Sequence, residues 1–254
     1  MVRRHHRGDH QSHPQDHSNW KAAGCHGIPN FWLKQLTSLH PELTNVYNNI
    51  LKNPEQTPEW LTKGVTFLIP KSEDTENPKN NSPITCLPDM YKVLTSIITK
   101  RAYIFLESNN LLHKVQRGCR HRSYGCKDQL RINKAILEEV RSKHRNLSTT
   151  WIDYKKAFDS VLHTWIVKSL ELYTICSIIT HFMWENMKLW KTILHLNHEK
   201  GMKTSKPIKI KSGIYQGDSL SPRVFCLALA PLGSLLNKSG HGYNTPHGKI
   251  SLLF

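Results

Sequence analysis

Two short strings constrain this chain more than anything else in it. Trp151–Val161 reads W-I-D-Y-K-K-A-F-D-S-V and Tyr215–Pro222 reads Y-Q-G-D-S-L-S-P. Leu147 to Ile152 is β-prone and runs straight into Asp153, after which a turn and a helix are expected. A carboxylate at the end of a buried strand can present its oxygens to a hard cation in a cleft. The same residue can instead cap a helix or form half of a buried ion pair, and one aspartate alone does not decide between these. Asp159 is read as a surface partner of Lys155 or Lys156. Phe158 is either a core aromatic or a ring set against the sugar of a nucleotide. In the second string Gln216 can bond to a base, a sugar or a template backbone. Gly217 lets main chain come close to a nucleotide, and Ser219 and Ser221 can cap the following helix. An ordinary loop and helix start is the competing reading. The seven-residue order, preceded by an alternating strand, makes the string specific.

Periodicity reveals the elements around these strings. Val65 to Ile69, closed by Pro70, reads as a short strand. From Asp89, taken as an N-cap, Met90, Val93, Leu94, Ile97, Ile98, Ile104 and Phe105 recur at helical spacing. Leu130, Ala135, Ile136, Leu137 and Val140 suggest a second helix ending in the basic run Arg141, Lys143, Arg145. Trp165 to Tyr173 and Ile178 to Leu189 read as helices, and Lys191 to Ser212 as a strand pair around a turn from His198 to Ser205. In the second of these strands Ile208 and Ile210 alternate with Lys209 and Lys211, which predicts one apolar face and one basic face. Leu220 to Asn237 reads as a helix with Pro222 at its first position and a kink at Pro231. Ile250 to Phe254 reads as a strand cut short, and the polar stretch Lys71 to Pro83 as a long loop.

Residues 1–18 hold five histidines and almost nothing apolar, so a disordered tail is expected there, unable to offset the entropy of being ordered. Lys and Arg number 35 against 19 Asp and Glu, a formal charge of +16 that favours a polyanionic partner. No apolar run reaches the roughly 18 to 20 residues that span a bilayer, so no membrane partner is expected. Cys25, Cys86, Cys119, Cys126, Cys176 and Cys226 form no C-x-x-C pair, and Cys119 and Cys126 with His113 and His121 fit no common zinc spacing. Free thiols in a reducing compartment are expected. Without an apolar N-terminal segment for secretion, the expected location is intracellular, nuclear or cytoplasmic.

Six strings follow one another in order: W-K-A-A-G-C-H-G-I-P (Trp20 to Pro29), F-L-I-P-K (Phe67 to Lys71), P-I-T-C-L-P-D-M-Y-K-V-L-T (Pro83 to Thr95), G-C-K-D-Q-L (Gly125 to Leu130) and the two motifs above. Together they resemble the reverse transcriptase domain of a non-LTR (LINE-like) retrotransposon, over about residues 19 to 254. The resemblance implies an α+β right-hand polymerase fold, with a fingers-like subdomain over 19–146 and a partial palm over 147–254. The palm would be an antiparallel sheet packed on helices, and the thumb would be absent. It also implies RNA-directed DNA polymerase chemistry, in which Mg²⁺ ions lower the pKa of an attacking hydroxyl and neutralise charge on the phosphates. The implied partners are an RNA template with a DNA primer, or an RNA/DNA hybrid, and deoxynucleotides. Asp153 would be catalytic and would bind Mg²⁺ with help from the main-chain carbonyl of Tyr154. Lys71 would lie near the triphosphate, Phe158 would face the sugar, and Gln216 with Gly217 would position nucleotide and template. Lys209 and Lys211, from the basic strand face, are expected to contact nucleic acid.

The departures point the other way. Ser82 stands where the family usually carries an Arg for the triphosphate, and Cys25 and His26 stand where the opening segment usually has Pro and Asp. Phe254 falls about where the aromatic of a Y-x-D-D hairpin would stand, which would put both of that hairpin's aspartates beyond it. On that reading Asp153 faces two divalent ions nearly alone and the sheet edge beside Leu147 to Ile152 lacks a neighbour. The expectation is an inactive fragment, with a non-catalytic nucleic-acid-binding remnant as the alternative.

Overall fold

The computed structural model describes residues 19, 22–71, 80–112, 116–120, 123–198, 201–246 and 248–251. Helices α1 (Asn30–Gln35), α2 (His40–Lys52) and α3 (Glu59–Thr62) lead into β1 (Lys63–Pro70) and β2 (Asn81–Cys86). Five helices follow: α4 (Asp89–Ser108), α5 (Cys126–Ser142), α6 (Ala157–Ser160), α7 (His163–Leu172) and α8 (Ser177–Leu189). The chain then forms β3 (Lys191–His198), β4 (Gly201–Thr204) and β5 (Ile208–Lys209), helix α9 (Ser221–Lys238), and a hairpin of β6 (Tyr243–Thr245) and β7 (Gly248–Ile250). The expected tail over 1–18, most of the Lys71 to Pro83 loop, His113, His121 and the last three residues lie outside the described residues.

The main sheet runs β2-β1-β3-β4, with β5 also paired to β3. Its strands β1 and β3 are parallel, with Val65 opposite Ile193, while β1/β2, β3/β4 and β3/β5 are antiparallel. The sheet is therefore mixed: its parallel pair joins β3 to β1 of the earlier part of the chain, while the described pairs within 147–254 are antiparallel. A parallel pair needs a long crossover, and the chain carrying α4 to α8 provides it. Three buried threonines tie the central strands: Thr66 Oγ1 lies 2.8 Å from Thr85 Oγ1 and 2.7 Å from Thr192 Oγ1. Thr192 also donates to the Gly64 carbonyl at 3.2 Å. Branching at Cβ suits the pleat, and mutual bonding removes a penalty of about 1–3 kcal/mol for each buried hydroxyl left alone.

Helix α4 buries Tyr91, Val93, Leu94, Thr95, Ile98, Ala102 and Leu106. Beyond Ile98 the buried stripe advances by fours, so Ile104 and Phe105, expected inside, face out at 57% and 37% exposure. Leu130 on α5 is likewise exposed, and that helix buries Ile136 and Val140. Asp89 is not the cap. Pro88 precedes the helix, and Asp89 is its first residue, buried and paired with Lys92 at 3.1 Å. Helix α7 packs on α8 and on α9, where Trp165 Nε1 donates to the Ala228 carbonyl at 3.0 Å. Helix α9 begins one residue later than expected, with Pro222 in its first turn and Pro231 inside it.

Two sequence expectations fail outright. The turn placed over His198 to Ser205 contains strand β4, and Ile208 is exposed, so only Ile210 of the alternating pair packs on the core. Leu147 to Ile152 forms no strand: residues 145–154 are irregular, with Trp151 76% and Ile152 63% exposed. A β-prone run becomes a strand only beside a hydrogen-bonded neighbour, and among the described residues no strand pairs with it.

Helix α6 is stitched to the chain that follows β5. Gly213 N–H donates to the Val161 carbonyl at 2.8 Å, Ile214 N–H to the Phe158 carbonyl at 3.0 Å, and Ser212 Oγ to the Asp159 carbonyl at 2.9 Å. Gly213 sits at φ +85°, and a Cβ there would lie 2.7 Å from the Asp159 Cα; Gly201 has φ +108° with open space around it. Gly213→Ala should therefore cost more than about 2 kcal/mol, because strain and a backbone clash add, whereas Gly201→Ala should cost about 1 kcal/mol. Urea unfolding of both variants checks this, and equal losses would show that the contact yields.

Candidate active site

The residues just before the second motif bond to the first, and the second motif itself docks on the sheet. Thr85 N–H on β2 donates to the Gln216 carbonyl at 2.8 Å. Gly217 follows at φ +124°, where a Cβ would lie 2.5 Å from the Thr85 carbonyl oxygen. The close approach this glycine makes in the structure is thus to β2. Tyr215, buried, has its hydroxyl 3.0 Å from the Lys191 carbonyl and 3.2 Å from the Thr62 carbonyl. Its ring lies 4.8 Å from that of Trp190, whose Nε1 donates to the Tyr91 hydroxyl at 3.3 Å. His163 meets the edge of Trp190 at 5.5 Å and places Nε2 3.0 Å from the Gly213 carbonyl. Burial pushes the Tyr215 phenol upward in pKa and the His163 imidazole downward.

Asp218 closes the junction. It is buried, and Thr95 Oγ1 from α4 donates to its Oδ1 at 2.6 Å, with further bonds from the backbone of Ser219 and Leu220. Burial outweighs these bonds and raises its pKa to about 6. Sequence reasoning missed both Asp218 and Thr95. The signal was present, since each stands inside one of the strings quoted above, but an aspartate in a Gly-Asp-Ser loop reads by default as solvated.

The expected site residues divide into four groups. The bonds between α6 and Ser212 to Ile214 tie the Phe158 backbone to the chain that leads into Gln216 and Gly217. Gln216 is half-buried, and the half-buried Phe158 ring lies 5.1 Å from that of Phe225 on α9, so part of it packs on the core. Lys71 is exposed and donates its N–H to the Asn80 carbonyl at 2.7 Å. It lies five residues beyond Thr66, the partner of Thr85 across the hairpin. At ~3.3 Å per residue this puts Lys71 roughly 16 Å along the strand from the Gln216 junction. Asp153 and Tyr154 are exposed in the irregular segment before α6, and Asp153 bonds to no described residue. Lys209 and Lys211 are exposed.

Magnesium requires an octahedron of oxygens and takes one or two carboxylates from a protein. Among the described residues no group of three His, Cys, Asp or Glu side chains is placed to hold a metal ion. Asp153 supplies one carboxylate, open to solvent, and the described residues do not by themselves fit the ion pair that the resemblance implies.

A titration at Asp218 follows from its burial. A carboxyl whose folded pKa exceeds its unfolded one stabilises the fold when protonated, so its contribution is full below about pH 4 and is lost as pH rises to about 6. Relative to Asp218→Asn, the wild type should lose on the order of 3 kcal/mol of stability between pH 4 and 6.5. Urea unfolding at several pH values measures the difference, and parallel curves would show that Asp218 does not titrate there.

The family described as "Reverse transcriptase (RNA-dependent DNA polymerase)" matches residues 69–246. The chain is 32% identical over 241 residues to the "Retrovirus-related Pol polyprotein from type-1 retrotransposable element R2" of Popillia japonica, covering 92% of this chain and 32% of that protein. It is 28% identical over 193 residues to the protein of the same name from Nasonia vitripennis, covering 76% of this chain and 18% of the relative. The "Transposon TX1 uncharacterized 149 kDa protein" of Xenopus laevis is 24% identical over 82% of this chain and 15% of its own length. The chain thus spans about a third or less of the length of these relatives. With both motifs inside the matched residues, the chain belongs to the reverse transcriptase (RNA-dependent DNA polymerase) family and is a reverse transcriptase domain of the non-LTR retrotransposon kind.

Proposed function

We propose that this chain is the part of an RNA-directed DNA polymerase that receives template and incoming deoxynucleotide, with residues 19–146 acting as fingers and 147–254 as palm. The observation that carries the reading is the docking of Gln216–Gly217 on Thr85, continued by that of Ser212 to Ile214 on α6. This holds a polar side chain and an open glycine in one fixed frame between the sheet and the turn that follows Asp153. In this reading Gln216 and Gly217 position nucleotide and template, Phe158 backs the sugar, Lys71 meets phosphate from the far end of the hairpin, and Asp153 with the Tyr154 carbonyl offers oxygens to Mg²⁺. The partners are an RNA template, a DNA primer or RNA/DNA hybrid, and deoxynucleotides. No described helix is long and apolar enough to cross a membrane. The reading implies an intracellular protein, nuclear or cytoplasmic.

The exposed, unpartnered Asp153 favours a second reading, in which the polypeptide holds RNA or hybrid duplex without incorporating nucleotides. Primer extension on an RNA template with Mg²⁺ or Mn²⁺ separates the two. Binding without incorporation is the outcome expected of the described residues alone. Incorporation above background would show that the carboxylate set is completed by residues beyond the described ones.

Lys203, Lys206, Lys209 and Lys211 all stand exposed on β4, β5 and their flanks, a basic edge suited to phosphates. Changing Lys209 and Lys211 together to Glu should weaken binding to all RNA sequences alike and flatten the slope of log affinity against log salt by roughly 1 to 2. Fluorescence anisotropy at several salt concentrations tests it. An unchanged slope would remove this edge from the interface.

A further inference from the structure

Away from the two motifs, the loop before α5 and the first turn of α9 line a pocket of about 350 Å³. Its walls are Arg117, Cys119, Arg120, Ser123, Gly125 and Arg223. Arg223 is only 7% exposed, lies 4.3 Å from the centre of the Tyr103 ring, and buries Nε and Nη1 without any hydrogen-bond partner. Arg117 Nε is buried and unpartnered too. Arg120, by contrast, is answered by Glu107 at 2.8 and 3.0 Å, and that carboxylate also accepts from the Tyr103 hydroxyl at 2.7 Å. Asp128, the acid in the first turn of α5, is occupied by the Ser123 hydroxyl at 3.1 Å and the Tyr124 N–H at 3.0 Å.

Two guanidiniums therefore line the pocket and between them bury three nitrogens that no described residue satisfies. A buried cation with orphaned N–H groups is costly unless something negative and rich in acceptors meets it. The planar fork of a guanidinium matches the oxygens of a phosphate. Cys119 on the pocket wall reports the same field: its thiol is drawn down to about 6, chiefly by hydrogen bonding with Cys226 and also by the charge of Arg223.

We propose that this pocket is a phosphate-binding site, in which Arg117 and Arg223 grip the oxyanion and Arg120, held by Glu107, walls it. The site deepens the nucleic-acid reading and rests on it for its ligand class, a phosphate carried by an RNA strand or free in solution. Nothing in the two motifs requires it.

Cys119 makes the site observable, because a bound phosphate shields an exposed thiol from alkylation. Iodoacetamide labelling of the full chain, read by peptide mass mapping, compares Cys119 with exposed Cys176 at the start of α8 as reference. At about ten times its Kd a ligand should slow Cys119 labelling about tenfold, since only the free fraction reacts, and leave Cys176 unchanged. Protection by an RNA oligonucleotide assigns a strand phosphate, and protection by deoxynucleotide or inorganic phosphate alone assigns a free one. Either supports the site. Arg117→Gln, a half-buried position that should fold, and Arg223→Gln should each weaken protection roughly tenfold. No protection by any of the three probes, or undiminished protection in Arg117→Gln, overturns the proposal. Anisotropy of the RNA on the same samples keeps the outcomes apart: RNA that binds without shielding Cys119 leaves the nucleic-acid reading standing.

Discussion

Seven residues of main chain, Ser212 to Asp218, are pinned from three sides, and the arrangement of both motifs depends on that pinning. Ser212, Gly213 and Ile214 bond to α6, Gln216 to β2, and Asp218 to Thr95 on α4. The partners come from sequence positions 50 to more than 120 residues away, so each bond closes a long loop whose entropy is met only when the others form too. Two glycines with positive φ make the path possible, since a side chain at either would strike neighbouring backbone. A binding frame built from backbone bonds to strand and helix holds its geometry better than one hung on a mobile loop.

That dependence explains which parts of the fold were legible beforehand. Strand β1 and helices α7, α8 and α9 came through close to their expected limits, because their apolar spacing and their Pro70 and Pro222 boundaries are local signals. The far end of α4 did not, since which face of a 20-residue helix is covered depends on its neighbours and not on its own periodicity. Leu147 to Ile152 failed for the same reason: its composition favours a strand, yet pairing is a property of two segments. The site showed the same limit. Gln216 and Gly217 were named from the string, but their docking on Thr85 is a tertiary fact, and the buried Asp218 beside them went unnoticed.

Polar groups do much of the positioning inside this molecule. The threonine triplet fixes the register of β2, β1 and β3, and the Tyr91, Trp190 and Tyr215 cluster ties α4 to the chain on either side of β3. Each polar atom buried this way must find its partner or cost stability, so misregistered alternatives are penalised more sharply than in a purely apolar core. The formal charge of +16 is kept largely outside, on residues such as Lys203, Lys206, Lys209 and Lys211. The buried Arg223 departs from that pattern, which is why its orphaned donors call for an explanation.

Two of the three motif aspartates, Asp153 and Asp218, show how environment separates residues of one type. Asp218 is enclosed, hydrogen-bonded by Thr95, and shifted toward its neutral form, so it serves the frame and is poorly suited to gripping a hydrated divalent ion. Asp153 has the opposite surroundings: it is exposed, bonds to no described residue, and lies in an irregular segment that no described strand pairs with. A hard cation gains little from a single carboxylate ligand. Ordering Leu147 to Ile152 against a neighbouring strand would fix the direction of Asp153 and cover Trp151 and Ile152 in the same step.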